Sequence, residues 1–177
     1  MPVARFARMS DSGPTSGVPR AVLLALAAGF VAFGVAFLLS PAKLGALADL
    51  STTSKLGLIE LRAFYGGIEI GLGVFLAVTA MRREWQLPGL LCALLALLGV
   101  SAARIYGMTV EGWPGPMVLA FLALELGGVV AAGFGLMRMK REDTLEQDVA
   151  ALRQEKTQLI EKTKPIERTV RLEQKKG

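Results

Sequence analysis

Five ionisable residues interrupt stretches of sequence that are otherwise apolar enough to cross a membrane. They are Glu60, Arg62, Glu69, Arg104 and Glu125. A charged side chain in the hydrocarbon core of a bilayer is costly, so such residues usually face the interior of a helix bundle and pair with one another. The sequence therefore predicts a buried network of acids and arginines. Such a network can bind the polar group of a ligand or transfer a proton.

Spacing along the second apolar stretch places part of this network on one helix face. Four positions follow the pattern i, i+4, i+7 and i+11: Arg62, Gly66, Glu69 and Gly73. Residues at this spacing lie above one another on a helix. Tyr65 borders the face, and Glu60 points in roughly the opposite direction near the helix end, where an interfacial position is expected.

Depth in the membrane follows from the helical rise of about 1.5 Å per residue. By this count Arg62, Arg104 and Glu125 lie in one layer of the outer half of the membrane, with Glu69 beneath them near the midplane. The candidate site residues are therefore Arg62, Tyr65, Glu69, Arg104 and Glu125. Two interpretations stay open. The network fixes only the register of the helices, or it forms a pocket for a small ligand, an anion, a quinone or a lipid headgroup, or passes a proton through Glu69.

Four long apolar segments predict an all-α, four-helix transmembrane bundle in residues 20–139. The predicted helices are 21–39, 55–81, 88–108 and 117–139, each close to the length that spans a bilayer. Ser40-Pro41 ends the first helix and predicts a short extracytoplasmic interfacial helix after it. Residues 1–19 are rich in Ser, Gly and Pro and are predicted to be disordered. The first helix is too long for a typical signal peptide and is expected to stay uncleaved.

Glycines in these helices predict close packing between helices. The glycines expected at helix contacts are Gly66, Gly67, Gly71, Gly73, Gly127 and Gly128. Gly67 and Gly71 form a GxxxG pair on a face of their own, which favours the approach of another helix.

The distribution of basic residues predicts the orientation. Eight lie on the side of the termini: Arg5, Arg8, Arg20, Arg82, Arg83, Arg138, Lys140 and Arg141. Only Lys43 and Lys55 lie in the opposite loops. By the positive-inside rule both termini are expected in the cytoplasm.

Residues 140–177 form a charged tail that is expected to be a cytoplasmic helix. Leu145, Leu152, Leu159 and Ile166 repeat every seven residues, but Pro165 interrupts the run. The pattern is typical of a solvated helix or a weak coiled coil. Docking, dimerisation and contact with anionic lipid remain open as roles for the tail.

Composition excludes several classes of site. The chain has 177 residues, 53% of them hydrophobic, with one cysteine and no histidine. It therefore cannot form an intramolecular disulfide, a Ser-His-Asp triad or a histidine-ligated haem. No metal site and no cofactor are predicted, and the net charge of +5 comes without any nucleic-acid-binding motif.

One run of residues resembles a known group. Glu60-Leu-Arg-Ala-Phe-Tyr-Gly-Gly-Ile-Glu69, with Gly71 and Gly73 after it and Arg104 and Glu125 in later helices, is similar to small bacterial four-helix membrane proteins. That group is described only as a domain of unknown function and is distantly DoxX-like. The resemblance covers about residues 20–138 and implies an inner-membrane bundle. Some DoxX-like relatives are associated with quinone-linked oxidoreductases and others act as assembly factors, and neither role transfers residue by residue.

The leading functional hypothesis is a non-enzymatic accessory or assembly subunit. It would contact membrane lipid and either a partner membrane protein or a second copy of itself, and would hold a small ligand at the network. The alternative is a small-molecule or proton carrier that acts as an oligomer. An enzyme acting on quinones or lipids ranks third, because no nucleophile or cofactor motif lies beside the carboxylates.

Overall fold

A computed structural model describes residues 17–50, 52, 54–113 and 115–173. For residue 142 and residues 162–173 it describes the backbone only. Most of the described residues are helical and none of them forms a strand, so the all-α prediction is confirmed. The predicted disorder of residues 1–19 lies largely outside the described residues. Only its last three positions are described, and these are helical.

The helices follow one another with short connections. They are α1 (Gly17–Leu39), α2 (Pro41–Leu47), α3 (Lys55–Leu61), a π-helical turn (Arg62–Gly67), α4 (Ile68–Ala80), α5 (Arg83–Glu111) and α6 (Pro116–Glu173). Four helical runs are long and apolar enough to span a membrane: α1, the run from α3 through α4, α5, and the first part of α6. Their exposed faces carry large apolar side chains, as helix faces in contact with lipid do.

Two helices begin earlier than predicted because proline is tolerated near a helix start. Helix α1 begins at Gly17 rather than Ala21, with buried Pro19 in its first turn, where backbone N–H groups lack partners in any case. Helix α5 begins at Arg83 rather than Pro88 and ends at Glu111 rather than Met108. Pro88 lies in the second turn of α5, so it removes one hydrogen bond close to the helix end.

Helix α6 does not end at the predicted residue 139 but runs from Pro116 to Glu173. The chain divides into two units at Met139 and Lys140. The apolar stretch that could span a membrane belongs to the first unit, and the charged tail to the second. In the tail the side chains of Leu145, Leu152 and Leu159 are exposed.

The serines at the starts of α2 and α3 behave differently. Ser54 is the N-cap of α3, and its hydroxyl accepts a hydrogen bond from the Gly57 backbone N–H at 2.9 Å. Ser40 is the N-cap of α2, with Pro41 following it, but its side chain makes no capping hydrogen bond. The start of α2 therefore depends on the backbone geometry of Pro41, which suits the first turn of a helix, rather than on the Ser40 hydroxyl.

We expect Ser54→Ala to lower the free energy of unfolding by about 1 kcal/mol, because the start of α3 loses the hydroxyl that accepts from Gly57. Ser40→Ala is the matched control and should change the free energy of unfolding by only about a few tenths of 1 kcal/mol. Denaturation in mixed micelles with increasing sodium dodecyl sulfate, followed by circular dichroism, measures both. Equal losses in the two variants would contradict the assignment of the cap.

Close packing of α1 against α4 forms the centre of the first unit. A Cβ atom built on Gly34 would lie 2.7 Å from the Gly66 carbonyl oxygen, and one built on Gly73 would lie 2.8 Å from the Ala27 carbonyl oxygen. Only glycine permits this approach of two backbones. Beside this crossing lies an apolar core that also includes residues of α5 and α6: Leu23, Ala27, Leu76, Ala80, Leu90, Ala93 and Ala132.

The predicted packing glycines divide into two groups. Gly66 and Gly73 contact α1, and Gly128 lies against Leu97 of α5. No other helix of the described chain approaches Gly67, Gly71 or Gly127, which are exposed. Gly67 and Gly71 are uncovered because α1 packs on the Gly66 and Gly73 side of their helix. Contact of these two glycines, or of Gly127 on α6, with a helix of another chain stays a prediction.

Candidate functional site

The π-helical turn lies where the sequence concentrates its polar residues. It covers Arg62–Gly67 and carries Arg62 and Tyr65, with Glu69 in the first turn of α4. A π turn widens the helix locally and often occurs at functional sites. A Cβ atom built on Gly66 would lie only 3.3 to 3.4 Å from backbone atoms of Leu38 and Gly34 in α1. Glycine at this position therefore lets the wide turn lie close against α1. The sequence analysis assumed a regular helix here and did not anticipate this turn.

A bidentate ion pair joins Arg104 of α5 to Glu125 of α6. The Arg104 Nη2 atom donates to Glu125 Oε1 at 2.6 Å, and Nε donates to both carboxylate oxygens at 3.1 Å. The side chains are 27% and 13% exposed, so water screens the pair only in part. A bidentate contact of this kind fixes orientation as well as charge. It joins two of the predicted network residues and two of the candidate spans.

Arg62 has a different partner from the one predicted. Its Nε atom donates to the Leu38 carbonyl oxygen at 3.2 Å, and its side chain is exposed. Leu38 lies in the last turn of α1, where carbonyl groups have no partner within the helix. Because that acceptor lies beside the π turn, Arg62 caps α1 instead of sharing a layer of ion pairs with Arg104 and Glu125.

Glu69 lies in the first turn of α4, within a candidate span, and is partly buried. Ser101, one turn before Arg104 on α5, is buried with no hydrogen-bond partner for its hydroxyl among the described residues. Glu60 is exposed, which agrees with a position away from the network.

Next to the ion pair lies a cavity of about 250 Å³, here called the aromatic cavity. Helices α1, α5 and α6, the π turn and the end of α2 all contribute to its wall. It is lined by Phe33, Phe37, Leu47, Ala48, Asp49, Leu50, Tyr65, Arg104, Met117, Val118 and Phe121. Two residues of the predicted site, Tyr65 and Arg104, thus meet at one cavity, whereas Arg62, Glu69 and Glu125 are not among its lining residues.

Four aromatic rings form a connected series along this cavity. Tyr65 stacks on Phe37 with ring centroids 5.1 Å apart, Phe37 contacts Phe33 at 4.9 Å, and Phe33 meets Phe121 edge to face at 6.4 Å. The Arg104 guanidinium lies 5.4 Å from the centre of the Phe121 ring. The series therefore joins α1, the π turn and α6 around the polar pair.

Sequence reasoning missed the three phenylalanines and Asp49. Phe33 and Phe37 have helical i, i+4 spacing, which indicates a shared face, but in an apolar stretch the same spacing equally fits contact with lipid. Asp49 has a backbone φ of 54° after α2, an uncommon value for a residue other than glycine. Its position in the short connection between apolar segments was the available signal.

These features define a small α-helical membrane protein, with four candidate spans and an ion pair within the membrane domain. The chain belongs to the family described as domain of unknown function DUF4345, whose model matches residues 18–136. The match includes every residue of the aromatic cavity and of the ion pair. No curated protein and no solved structure matches the chain significantly.

Proposed function

We propose that this protein is a non-enzymatic accessory or assembly subunit of the bacterial inner membrane that holds a small ligand in the aromatic cavity. The observation that carries the proposal is the cavity itself, with apolar and aromatic walls beside the Arg104–Glu125 pair. Ligand sites typically combine apolar walls with a few oriented polar groups. A guanidinium already neutralised by a carboxylate orients a ligand and supplies no nucleophile.

Partner binding in this proposal uses a surface that the chain leaves uncovered. Gly67 and Gly71 are exposed on the side of the helix away from α1, with no atom of another helix within 4 Å of a Cβ built at either position. Exposed Phe64 and Ile68 lie on the same helical run. Small residues of this spacing favour close approach of a helix from another chain.

The proposal keeps the predicted topology, with both termini in the cytoplasm. The basic residues that flank the spans support it through the positive-inside rule. The tail then lies in the cytoplasm, where its seven-residue repeat of leucines suits a short coiled coil with a partner or a second copy.

Native mass spectrometry of the protein, extracted from its own membrane with minimal detergent, tests the accessory role. The proposal expects a complex with another membrane protein and a small bound mass on this subunit. A protein that carries neither a partner nor a bound small molecule would contradict the proposal. Lys140–Gly177 deletion should lower the yield of the partner if the tail docks it.

A second candidate function, a proton carrier, is favoured by Glu69, a partly buried acid that lies within a candidate span. Carboxylates inside membrane spans commonly act as proton relays in pumps and transporters. We expect Glu69→Gln to abolish any proton-coupled flux into proteoliposomes while leaving the protein folded. Glu60→Gln, which changes an exposed acid on the same helical run, is the matched control. Equal flux in wild type and Glu69→Gln would contradict the carrier hypothesis.

A further inference from the structure

The aromatic cavity combines aromatic side chains with an acid that makes no ion pair among the described residues, and this combination suits one class of ligand. We propose that the cavity binds an organic ammonium group carried on a small apolar body. The inference rests on the proposed ligand-binding function and adds to it the charge and size of the ligand. It is argued from the rings, from the charges around them and from the volume that they enclose.

The ring series provides the surface that an ammonium group prefers. Positive charge is attracted to the face of an aromatic ring within about 6 Å of its centre. Tyr65, Phe37, Phe33 and Phe121 all line the cavity and contact one another in sequence. Arg104 already lies 5.4 Å from the Phe121 centroid, which shows that a cation is accommodated against this wall.

The charge balance at the wall is negative. Two lining residues are charged, Arg104 and Asp49. The guanidinium of Arg104 is neutralised by Glu125 at 2.6 Å, whereas Asp49 makes no ion pair among the described residues. Arg62, the other nearby cation, is not part of the wall. An anionic ligand would therefore meet the unpaired Asp49 carboxylate, and an ammonium group would be attracted to it.

The volume limits the ligand to a small molecule or to one end of a larger one. About 250 Å³ corresponds to roughly eight water molecules at about 30 Å³ each. A benzyl or short alkyl body bearing an ammonium group is of this order. The ammonium group could belong to a free amine or to the headgroup of a lipid such as phosphatidylethanolamine, whose acyl chains would remain outside the cavity.

The test compares matched probes on the full-length protein in a non-ionic maltoside detergent. The cation is benzyltrimethylammonium, its neutral isostere is neopentylbenzene and the anion is phenylacetate. Isothermal titration calorimetry should show saturable binding of the cation. The neutral isostere and the anion should bind at least about fivefold more weakly than the cation. A difference in affinity of this size is expected from a partly exposed cation–π and charge contact.

Three variants assign the binding to the cavity. Asp49→Asn keeps a residue type that tolerates the φ of 54° and removes the charge. It should lower the affinity for the cation about fivefold and leave the affinity for the neutral isostere unchanged. Tyr65→Leu removes one ring and should act in the same direction. Glu111→Gln changes an exposed acid outside the cavity and should leave the affinity unchanged.

Competition distinguishes the two sources of the ammonium group. If dihexanoyl phosphatidylethanolamine displaces benzyltrimethylammonium, the natural group is a lipid headgroup, and if it does not, the natural ligand is a free amine. Equal affinity for the cation and its neutral isostere would overturn the ammonium assignment while leaving a ligand-binding cavity. Absence of saturable binding by the cation would overturn it as well, and native mass spectrometry would then decide the proposed function separately.

Discussion

Replacing Arg104 by methionine is expected to lower the free energy of unfolding by about 3 kcal/mol. The substitution leaves the Glu125 side chain, which is only 13% exposed, without its cation. Removing one partner of a buried pair is more damaging than removing both, because an uncompensated charge stays in a poorly solvated place. Sodium dodecyl sulfate titration in mixed micelles, followed by tryptophan fluorescence, measures the loss.

Two further variants show whether the loss arises from the pair. Arg62→Met removes an arginine that bonds only to a backbone carbonyl and is exposed, so it should lower stability by about 1 kcal/mol or less. The double variant Arg104→Met with Glu125→Met should be more stable than Arg104→Met alone. If Arg62→Met were as damaging as Arg104→Met, the ion pair would not be the polar contact that organises the bundle.

Replacing Gly34 by alanine is expected to cost about 2 to 3 kcal/mol, because the new methyl group has no space. Its carbon would lie 2.7 Å from the Gly66 carbonyl oxygen and 2.9 Å from the Ile70 backbone nitrogen. Both are backbone atoms, which cannot rotate away as a side chain can. Helices α1 and α4 would have to separate, and the π turn that carries Tyr65 and Arg62 would move with them.

Gly29→Ala in the same helix is the matched control. Nothing lies within 4 Å of a Cβ built on Gly29, so the substitution should be neutral or stabilising by up to about 1 kcal/mol from the better helix propensity of alanine. Opposite signs for the two variants in the same micelle titration are the expected result. Similar losses at Gly29 and Gly34 would mean that α1 does not meet α4 at this crossing.

The spans and the main ion pair could be predicted because each follows from a strong local rule. Long apolar stretches identify candidate membrane helices, and the structure retains all four. Arg104 and Glu125 were expected in one layer of a shared network, because charges in apolar helices need partners and the two depths agree; the prediction did not assign which arginine pairs with which acid. Both predictions need only the hydropathy of the residues, which is read from the sequence, and the constant rise per residue of a helix.

Arg62 shows where such reasoning ends. Its predicted partners followed from regular helical spacing, but the chain forms a π turn at Arg62–Gly67 and the last turn of α1 offers an acceptor at Leu38. The π turn depends on the close contact of Gly66 with α1, which involves residues far apart in sequence. A tertiary contact of this kind leaves no local periodic signal.

The aromatic cavity could not be predicted for a related reason. Phenylalanines in a membrane helix face lipid, core or cavity with the same sequence pattern, and only the packing of several helices distinguishes these positions. Phe33, Phe121 and Asp49 come from three separate segments and meet at one wall. The sequence identified Tyr65 and Arg104 as candidates but had no means to place the rings around them.

The measurement that tests the central claim most directly is native mass spectrometry of a cavity-filled variant. Val118 lines the aromatic cavity, whereas its neighbour Leu119 is exposed and does not. Val118→Trp should eliminate the small bound mass that wild type retains after mild extraction, and Leu119→Trp should keep it. A bound mass that persists unchanged in Val118→Trp would show that the ligand lies elsewhere and would contradict the assignment of this cavity as the functional site.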